Sequence, residues 1–387
     1  MKRVCHIVQS YYPRDPRIRR QAEALAEAGH KVDVVCLRAE GQSAREVVNG
    51  VNVIRLPLSR QRGSVVRYLF EYAAFFLMAF LYSAFTLHKR YQVYHVSNLP
   101  DFLIFSAAVP KLFGRKILLD EHDLMPELFA SKYGLKDTDL LTKSLRAQER
   151  LSLRFASEVI TVTMPLKEHY AKIAPNKPIS VVMNLPDDRL FVPPEDKRTF
   201  ETRDAFTLIY TGTVTGVYDL DKVVRAVANL RSRISNIRLK IVGEGDSLPA
   251  LKRLAEELKI EDAVEFTGDK PFSAIPGLIA DSDIGVSTLR HDPLTDMFFN
   301  TKTGEYVAMG LPSVSTRTMT VENYYPKDVV RFVEPGSIES IEEAVWELYS
   351  NPQLRMEMST RGLEFSRSSN WSAEKSKYVS LVERLAP

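Results

Sequence analysis

Short apolar runs alternate along this chain with longer segments in which apolar residues recur every three or four positions. Residues 4–8, 31–37, 51–56, 91–97, 116–120 and 158–163 are apolar over most of their length, which predicts strands buried on both faces of a sheet. Residues 16–28, 101–113 and 140–155 lie between them and read as helices. The first is the best marked, since Asp15 suits an N-cap, Pro16 the first helical position and Gly29 the stop. Alternation of this kind implies a mostly parallel sheet covered on both sides, joined by right-handed crossovers.

Beyond the apolar stretch 181–183 the composition changes, first at residues 184–188 and again at the proline-rich, charged residues 192–197. This is the expected linker. A second α/β series follows, with strands at 206–210, 238–242, 264–267, 284–287 and 329–333, a short one at Ser313, and helices at 220–231, 248–258, 273–280 and 302–309. Further helices start near Ser340 and Gln353, and a last one, 372–385, stands apart after Trp371. At 387 residues two domains are expected, one over residues 1–190 and one over 200–369, with 370–387 packing back on the first.

Composition adds the partners. The apolar fraction of 45% and charged fraction of 26% are those of a soluble globular protein. The net charge is only +3, yet residues 1–90 carry 15 Lys/Arg against 7 Asp/Glu, so an anionic surface or substrate is expected at the N-terminal part. Arg14, Arg17, Arg19 and Arg20 crowd a helix start, where the macrodipole disfavours cations. No nucleic-acid partner is implied. The two cysteines, Cys5 and Cys36, lie in strand-like runs without metal-ligand spacing, and the first eight residues are too short and polar for a signal core. A cytoplasmic protein is expected. Residues 68–87 are almost wholly apolar between basic flanks and approach the length of a membrane span. With βα units on both sides, a helix packed against the sheet is expected instead, either wholly buried or partly so, with an exposed side available to an anionic membrane surface at the inner face of the cell membrane.

The chemistry concentrates at residues 295–314. Lys302 and Glu305 lie three apart near a helix start, ahead of Gly310 and Pro312, and so face one side of that helix. A cation and a carboxylate there suit a ligand with phosphate oxygens and sugar hydroxyls. Gly212 and Thr213 follow the first strand of the second series, where a small residue lets backbone N–H groups approach a diphosphate. Gly243 and Glu244 follow the next strand.

In order and spacing, the segments 15–20 through His30, 120–127 (DEHDLMPE), 183–186 (MNLP), 241–245 (IVGEG) and 302–312 (KTGEYVAMGLP) resemble the family 4 retaining glycosyltransferases, also termed group 1. The resemblance implies the GT-B fold: two Rossmann-like, doubly wound parallel-sheet domains facing a cleft, with the C-terminal helix crossing back to the first. It implies a nucleotide-sugar donor on the second domain and a lipid-linked saccharide or growing surface glycan as acceptor on the first. Lys302 would then bind the diphosphate, Glu305 the ribose hydroxyls, and Gly243 with Glu244 the nucleoside. His122, just past a strand end, would contact the transferred sugar, with Asp120, Glu121 and Asp123 biasing its tautomer; Glu127 is a weaker acceptor contact.

Two departures from the family pattern stand out. The loop 214–219 (VTGVYD) lacks a cation, for which Arg290 is the proposed substitute, and Met297 stands where a first glutamate is expected, next to Asp296. The alternatives are therefore a noncatalytic sugar-nucleotide-binding partner of another transferase and a nucleotide-sugar epimerase. Asp-x-Asp pairs occur at Asp137/Asp139, Asp219/Asp221 and Asp281/Asp283; the first two precede helices, where aspartate commonly caps, and the third precedes a strand. No essential metal and no cofactor are expected.

Overall fold

A computed structural model describes residues 1–60, 65–136, 138–194, 204–292 and 294–386. Gln61, Arg62 and Gly63 of the basic segment, Asp137, and Glu195 to Lys197 of the expected linker lie outside the described residues. The chain divides into two units, Met1–Met183 with Glu374–Pro387, and Asn184–Ala373.

In chain order the first unit contains β1 (Arg3–Ile7), α1 (Pro16–Glu27), β2 (Lys31–Leu37), β3 (Arg45–Val48), β4 (Val51–Leu56), α2 (Val65–Phe85) and β5 (Val93–Ser97). It continues with α3 (Ala108–Leu112), β6 (Lys116–Glu121), α4 (Met125–Tyr133), α5 (Leu140–Phe155), β7 (Glu158–Thr161), α6 (Met164–Ile173) and β8 (Ile179–Val181). The sheet order is β3-β4-β2-β1-β5-β6-β7-β8, parallel except for the antiparallel pair β3 and β4. Four of these elements go beyond the sequence pattern: β3, whose edge position leaves Arg45 to Asn49 largely exposed, the three-residue edge strand β8, and α4 and α6, short helices without a strong apolar stripe. Residues 101–113, expected as one helix, begin as a 3₁₀ turn over Asp101–Ala107 and become α-helical only at Ala108.

Local chemistry explains α1. The Asp15 carboxylate accepts the Arg17 backbone N–H at 3.1 Å and pairs with its guanidinium at 3.0 Å, so one cation crowded at the helix start is neutralised by the cap itself. Helix α2 buries Glu71, Phe75, Ala79 and Ser83 and turns Phe70, Leu77, Leu81 and Phe85 outward. Among the described residues no helix is long and apolar enough to cross a membrane. Cys5 and Cys36 are buried and unbonded to each other, and burial pushes both thiols up.

The second unit runs β9 (Phe206–Thr211), α7 (Leu220–Leu230), β10 (Ile237–Val242), α8 (Leu248–Glu257), β11 (Val264–Gly268), α9 (Ile275–Ala280) and β12 (Ile284–Ser287). Then come α10 (Thr301–Ala308), β13 (Ser313–Thr316), α11 (Met319–Tyr324), β14 (Val330–Val333), α12 (Ile338–Ser350) and α13 (Pro352–Ser366). The short α11 is also absent from the sequence pattern. The sheet is wholly parallel in the order β11-β10-β9-β12-β13-β14. Alternate residues of β9 enter different cores, as strand geometry demands: Leu208 and Tyr210 join Val223, Val227 and Leu348, while Ile209 joins Ile279, Tyr306 and Met309. The last helix, α14 (Trp371–Leu385), gives residues 371–373 to the second unit and the rest to the first. Residues 184–190, expected in the first domain, belong to the second.

Candidate functional site

From β9 the second sheet grows outward through β10 and β11 on one side and from β12 through β14 on the other. The strand order therefore reverses between β9 and β12, and a crevice at their carboxyl ends is where open α/β sheets hold ligands. Gly212 leaves β9 with φ of +130°, and its N–H bonds to Val242 O at 2.8 Å. Gly243 leaves β10 with φ of +140°, and a Cβ there would collide with the Gly212 carbonyl oxygen. Glycine at 243 thus lets two loop backbones touch, and Val214 N–H to Glu244 O at 3.0 Å ties them further. Gly212 and Thr213 remain exposed, as does Glu244.

Helix α10 is anchored across this crevice by two buried side chains. The Tyr306 hydroxyl accepts the Thr211 N–H at 3.0 Å, at the end of β9, and the Thr303 hydroxyl donates to Ser287 Oγ at 2.9 Å, at the end of β12. These anchors hold Lys302 in a set place. It is only 8% exposed, its Nζ lies 3.8 Å from the Tyr218 ring centroid and 5.3 Å from that of Tyr210, and its Cε would stand 2.5 Å from a Cβ on Gly212. Among the described residues no carboxylate lies within ion-pair distance of it. Aromatic faces attract an ammonium by ~1–2 kcal/mol but do not neutralise it. A cleft of about 60 Å³ opens here, lined by Tyr218, Leu289, Phe298, Phe299, Asn300, Thr301 and Lys302. Glu305, one turn along, is half-buried. The aromatic setting of Lys302 was not legible in sequence, although Tyr218 in the cation-free loop was a visible signal.

Arg290 reaches that loop through its backbone, donating its N–H to Val217 O at 2.8 Å. Its guanidinium pairs with Asp292 at 3.1 Å. Burial raises the Asp292 carboxyl, but the Thr295 N–H and Arg290 outweigh it and hold the group below its ordinary value. Asp296 faces His291, 3.7 Å away, and its carbonyl accepts from Thr320 Oγ1 at 2.7 Å; Met297 shares its 3₁₀ turn.

In the first unit His122 follows β6 and is 6% exposed, with Nε2 2.8 Å from Asp120 Oδ2. Burial raises Asp120, but His122 and His95 outweigh it and hold the carboxyl well below its ordinary value. Glu121 points elsewhere: Asn98 Nδ2 donates to it at 2.5 Å and to Asp101 at 3.4 Å. Burial, reinforced by Glu149 at Asp101 and by Asp101 at Glu121, raises both carboxyls. Glu127, Glu149 and His169 bring donor atoms within 4.8 Å of one another, the one such metal-type grouping among the described residues, and Arg146 pairs with Glu127 at 2.8 Å. Of the Asp-x-Asp pairs, Asp221 lies 3.5 Å from Lys222 and Asp283 accepts the Thr207 N–H at 2.8 Å.

A cavity of about 1140 Å³ opens at the carboxyl ends of β1, β2 and β4, lined by Tyr11, Arg14, Arg38, Glu40 and Arg60 among others. Arg38 Nε is held on Gln42 O and Arg60 Nη2 on Gln9 O, both at 2.8 Å, and among the described residues the cavity lining offers three guanidinium groups against one carboxylate.

Known proteins share both halves. Residues 15–184 match the family described as glycosyl transferase 4-like domain, and residues 193–365 match glycosyl transferases group 1. A phosphatidylinositol N-acetylglucosaminyltransferase component from Arabidopsis thaliana is 24% identical over 61% of this chain, which spans half the length of that relative. Sucrose-phosphate synthase from Thermosynechococcus elongatus superposes with a TM-score of 0.79 at 20% identity, over 100% of this chain and 99% of that one. Anabaena HepE, solved with UDP-glucose, gives 0.73 at 14% identity over 99% and 100%. Both halves and the fold agree: the chain belongs to the group 1 glycosyltransferases of family 4, with the GT-B fold.

Proposed function

We propose that this protein transfers a hexosyl group, with retention of configuration, from a nucleotide-sugar donor bound by the second unit to a lipid-linked or growing surface glycan. The observation that carries the reading is the buried Lys302 ammonium, which lies beside Gly212 with no carboxylate partner among the described residues. A departing nucleoside diphosphate gains negative charge as the glycosidic bond breaks, so a fixed cation stabilises the transition state more than the ground state. Glu305 accepts ribose hydroxyls, Gly212, whose own N–H is held by Val242 O, leaves room for the Thr213 N–H to approach the diphosphate, and the Gly243–Glu244 turn flanks the nucleoside. Arg290 and Asp296 border the sugar, and His122 contacts it. The HepE complex with UDP-glucose supports a nucleotide-sugar donor. No metal is required for the reaction.

The three-arginine cavity of the first unit suits an acceptor with an anionic, diphosphate-type headgroup, since guanidinium matches phosphate oxygens in pairs. The outward stripe Phe70, Leu77, Leu81 and Phe85 on α2 rests on the anionic inner face of a cell membrane, where such an acceptor is displayed. The Arabidopsis relative, named for phosphatidylinositol, supports a lipid-borne acceptor.

The test is donor turnover. Slow hydrolysis of the right nucleotide sugar without acceptor is expected, abolished in Lys302→Ala and unaffected by a chelator. Thermal shifts against UDP-, GDP-, ADP- and dTDP-sugars identify the donor. Met297 favours a second reading, a noncatalytic sugar-nucleotide-binding partner of another transferase. Donor binding without turnover, given acceptor extracts, would establish it, while isomerisation of the donor's sugar without acceptor would instead mark an epimerase.

A further inference from the structure

Four buried side chains of the first unit form a line that ends at His122. Tyr378 Oη on α14 lies 2.9 Å from His95 Nδ1. His95 Nε2, in the middle of β5, lies 3.3 Å from Asp120 Oδ2, and the same oxygen is 2.8 Å from His122 Nε2. Gln21 Nε2 adds a hydrogen bond to it at 2.9 Å. The His95 approach lacks the alignment of a hydrogen bond, so Asp120 by itself does not orient the His95 ring. That ring is held by Tyr378 on one edge and by a flat stack on His6, centroids 3.9 Å apart.

The proton polarity follows from the ends of the line. An ionised carboxylate only accepts, so His122 Nε2 carries the proton of its 2.8 Å contact, and the charge 3.3 Å from His95 Nε2 favours the tautomer with the proton on that nitrogen. His95 Nδ1 is then an acceptor. Burial and the Asp120 charge push the Tyr378 phenol well above its ordinary value, so it keeps its proton and donates. His6 is held neutral by burial and by His95, and its Nε2 pairs with Ser97 Oγ at 2.9 Å. Each group then has one role, and without the Tyr378 hydroxyl the buried His95 Nδ1 loses its donor.

We propose that Tyr378 is a positioning residue for His122, acting through His95 and Asp120, so that the last helix sets the orientation and proton placement of that imidazole. The proposal rests on the reading of His122 as a group that touches the transferred sugar.

The experiment uses the full chain with ¹⁵N-labelled histidine, comparing wild type with Tyr378→Phe and His95→Gln. In both variants the His122 ring resonances should move toward a mixed tautomer. Donor hydrolysis should lose kcat by about three- to tenfold, the loss expected for one buried hydrogen bond, with the donor KM unchanged. Near-UV circular dichroism checks that each variant is folded, and His95→Gln serves if Tyr378→Phe is not. Unmoved His122 resonances in a folded variant overturn the proposal, even if kcat falls. His122→Gln separates the underlying reading: wild-type turnover in that variant removes the catalytic role of His122, whereas the coupling from Tyr378 is still read from the resonances.

Discussion

Lys302 presses on Gly212 so closely that a Cβ on the glycine would stand 2.5 Å from Cε and 3.1 Å from Nζ. The pairing of a lysine with a glycine 90 positions earlier makes the phosphate-binding proposal testable at both ends. Gly212→Ala meets two obstacles, the lysine stem and a φ of +130° that alanine adopts only under strain of ~1–3 kcal/mol. The variant should melt several degrees lower and lose its nucleotide-dependent thermal shift. Wild-type nucleotide response in a folded Gly212→Ala protein would argue that this loop is not at the diphosphate.

Lys302→Met should separate stability from function. The stem is retained, and a buried charge without a carboxylate partner among the described residues is removed. The free protein should therefore melt at the same temperature or higher, while donor hydrolysis falls about a hundredfold or more, the scale for losing one transition-state charge contact. A marked drop in the melting temperature of the free protein would mean that the Tyr218 and Tyr210 faces already satisfy the ammonium.

The Asn98 cluster predicts a pH dependence of stability. Asp101 and Glu121 have raised values, chiefly through burial. Folding therefore carries no ionisation cost below the unfolded carboxylate value near ~4, and the cost grows as pH rises from there toward the raised folded value. Asp101→Asn should be nearly neutral below pH 4 and increasingly stabilising as pH rises, by about 1 kcal/mol or more at pH 8, read as ΔG from urea unfolding. Asp120 has the opposite sign: lowered in the fold, it contributes stability above its unfolded value that is lost only in more acid solution. Asp120→Asn should thus destabilise at neutral pH, and a pH-independent Asp101→Asn effect would show that the cluster is not charged as described.

Vesicle binding tests the outward face of α2. Phe70→Ser combined with Leu77→Ser removes two exposed apolar groups without touching the buried Phe75 and Ala79, so the melting temperature should hold. Retention on vesicles containing anionic lipid should fall several-fold, and the wild-type protein should be released as salt screens the basic flanks. Equal retention of variant and wild type would place the membrane contact elsewhere.

Much of the fold was legible because parallel strands buried on both faces must be apolar throughout, and β2, β4 and β12 end where their apolar runs end. The Asp15 cap and the Gly29 stop were readable for the same kind of local reason: each rests on the backbone chemistry of neighbours in sequence. The edge strand β3 escaped notice because a mostly solvated strand needs no apolar pattern, and its ladder comes from β4.

Of the candidate site, the sequence by itself determined that Lys302 and Glu305 share one face of a helix following a strand of an α/β unit, and that Gly212 follows the first strand of that unit. Only the tertiary structure decided that Lys302 is buried under Tyr218 rather than solvated, that Gly243 is glycine because the Gly212 carbonyl fills the place of its Cβ, and that Tyr378 reaches His95. Helix faces and caps follow from periodicity within a few residues, whereas a side chain's partners come from strand order, which brings residues 90 or 283 positions apart within touching distance.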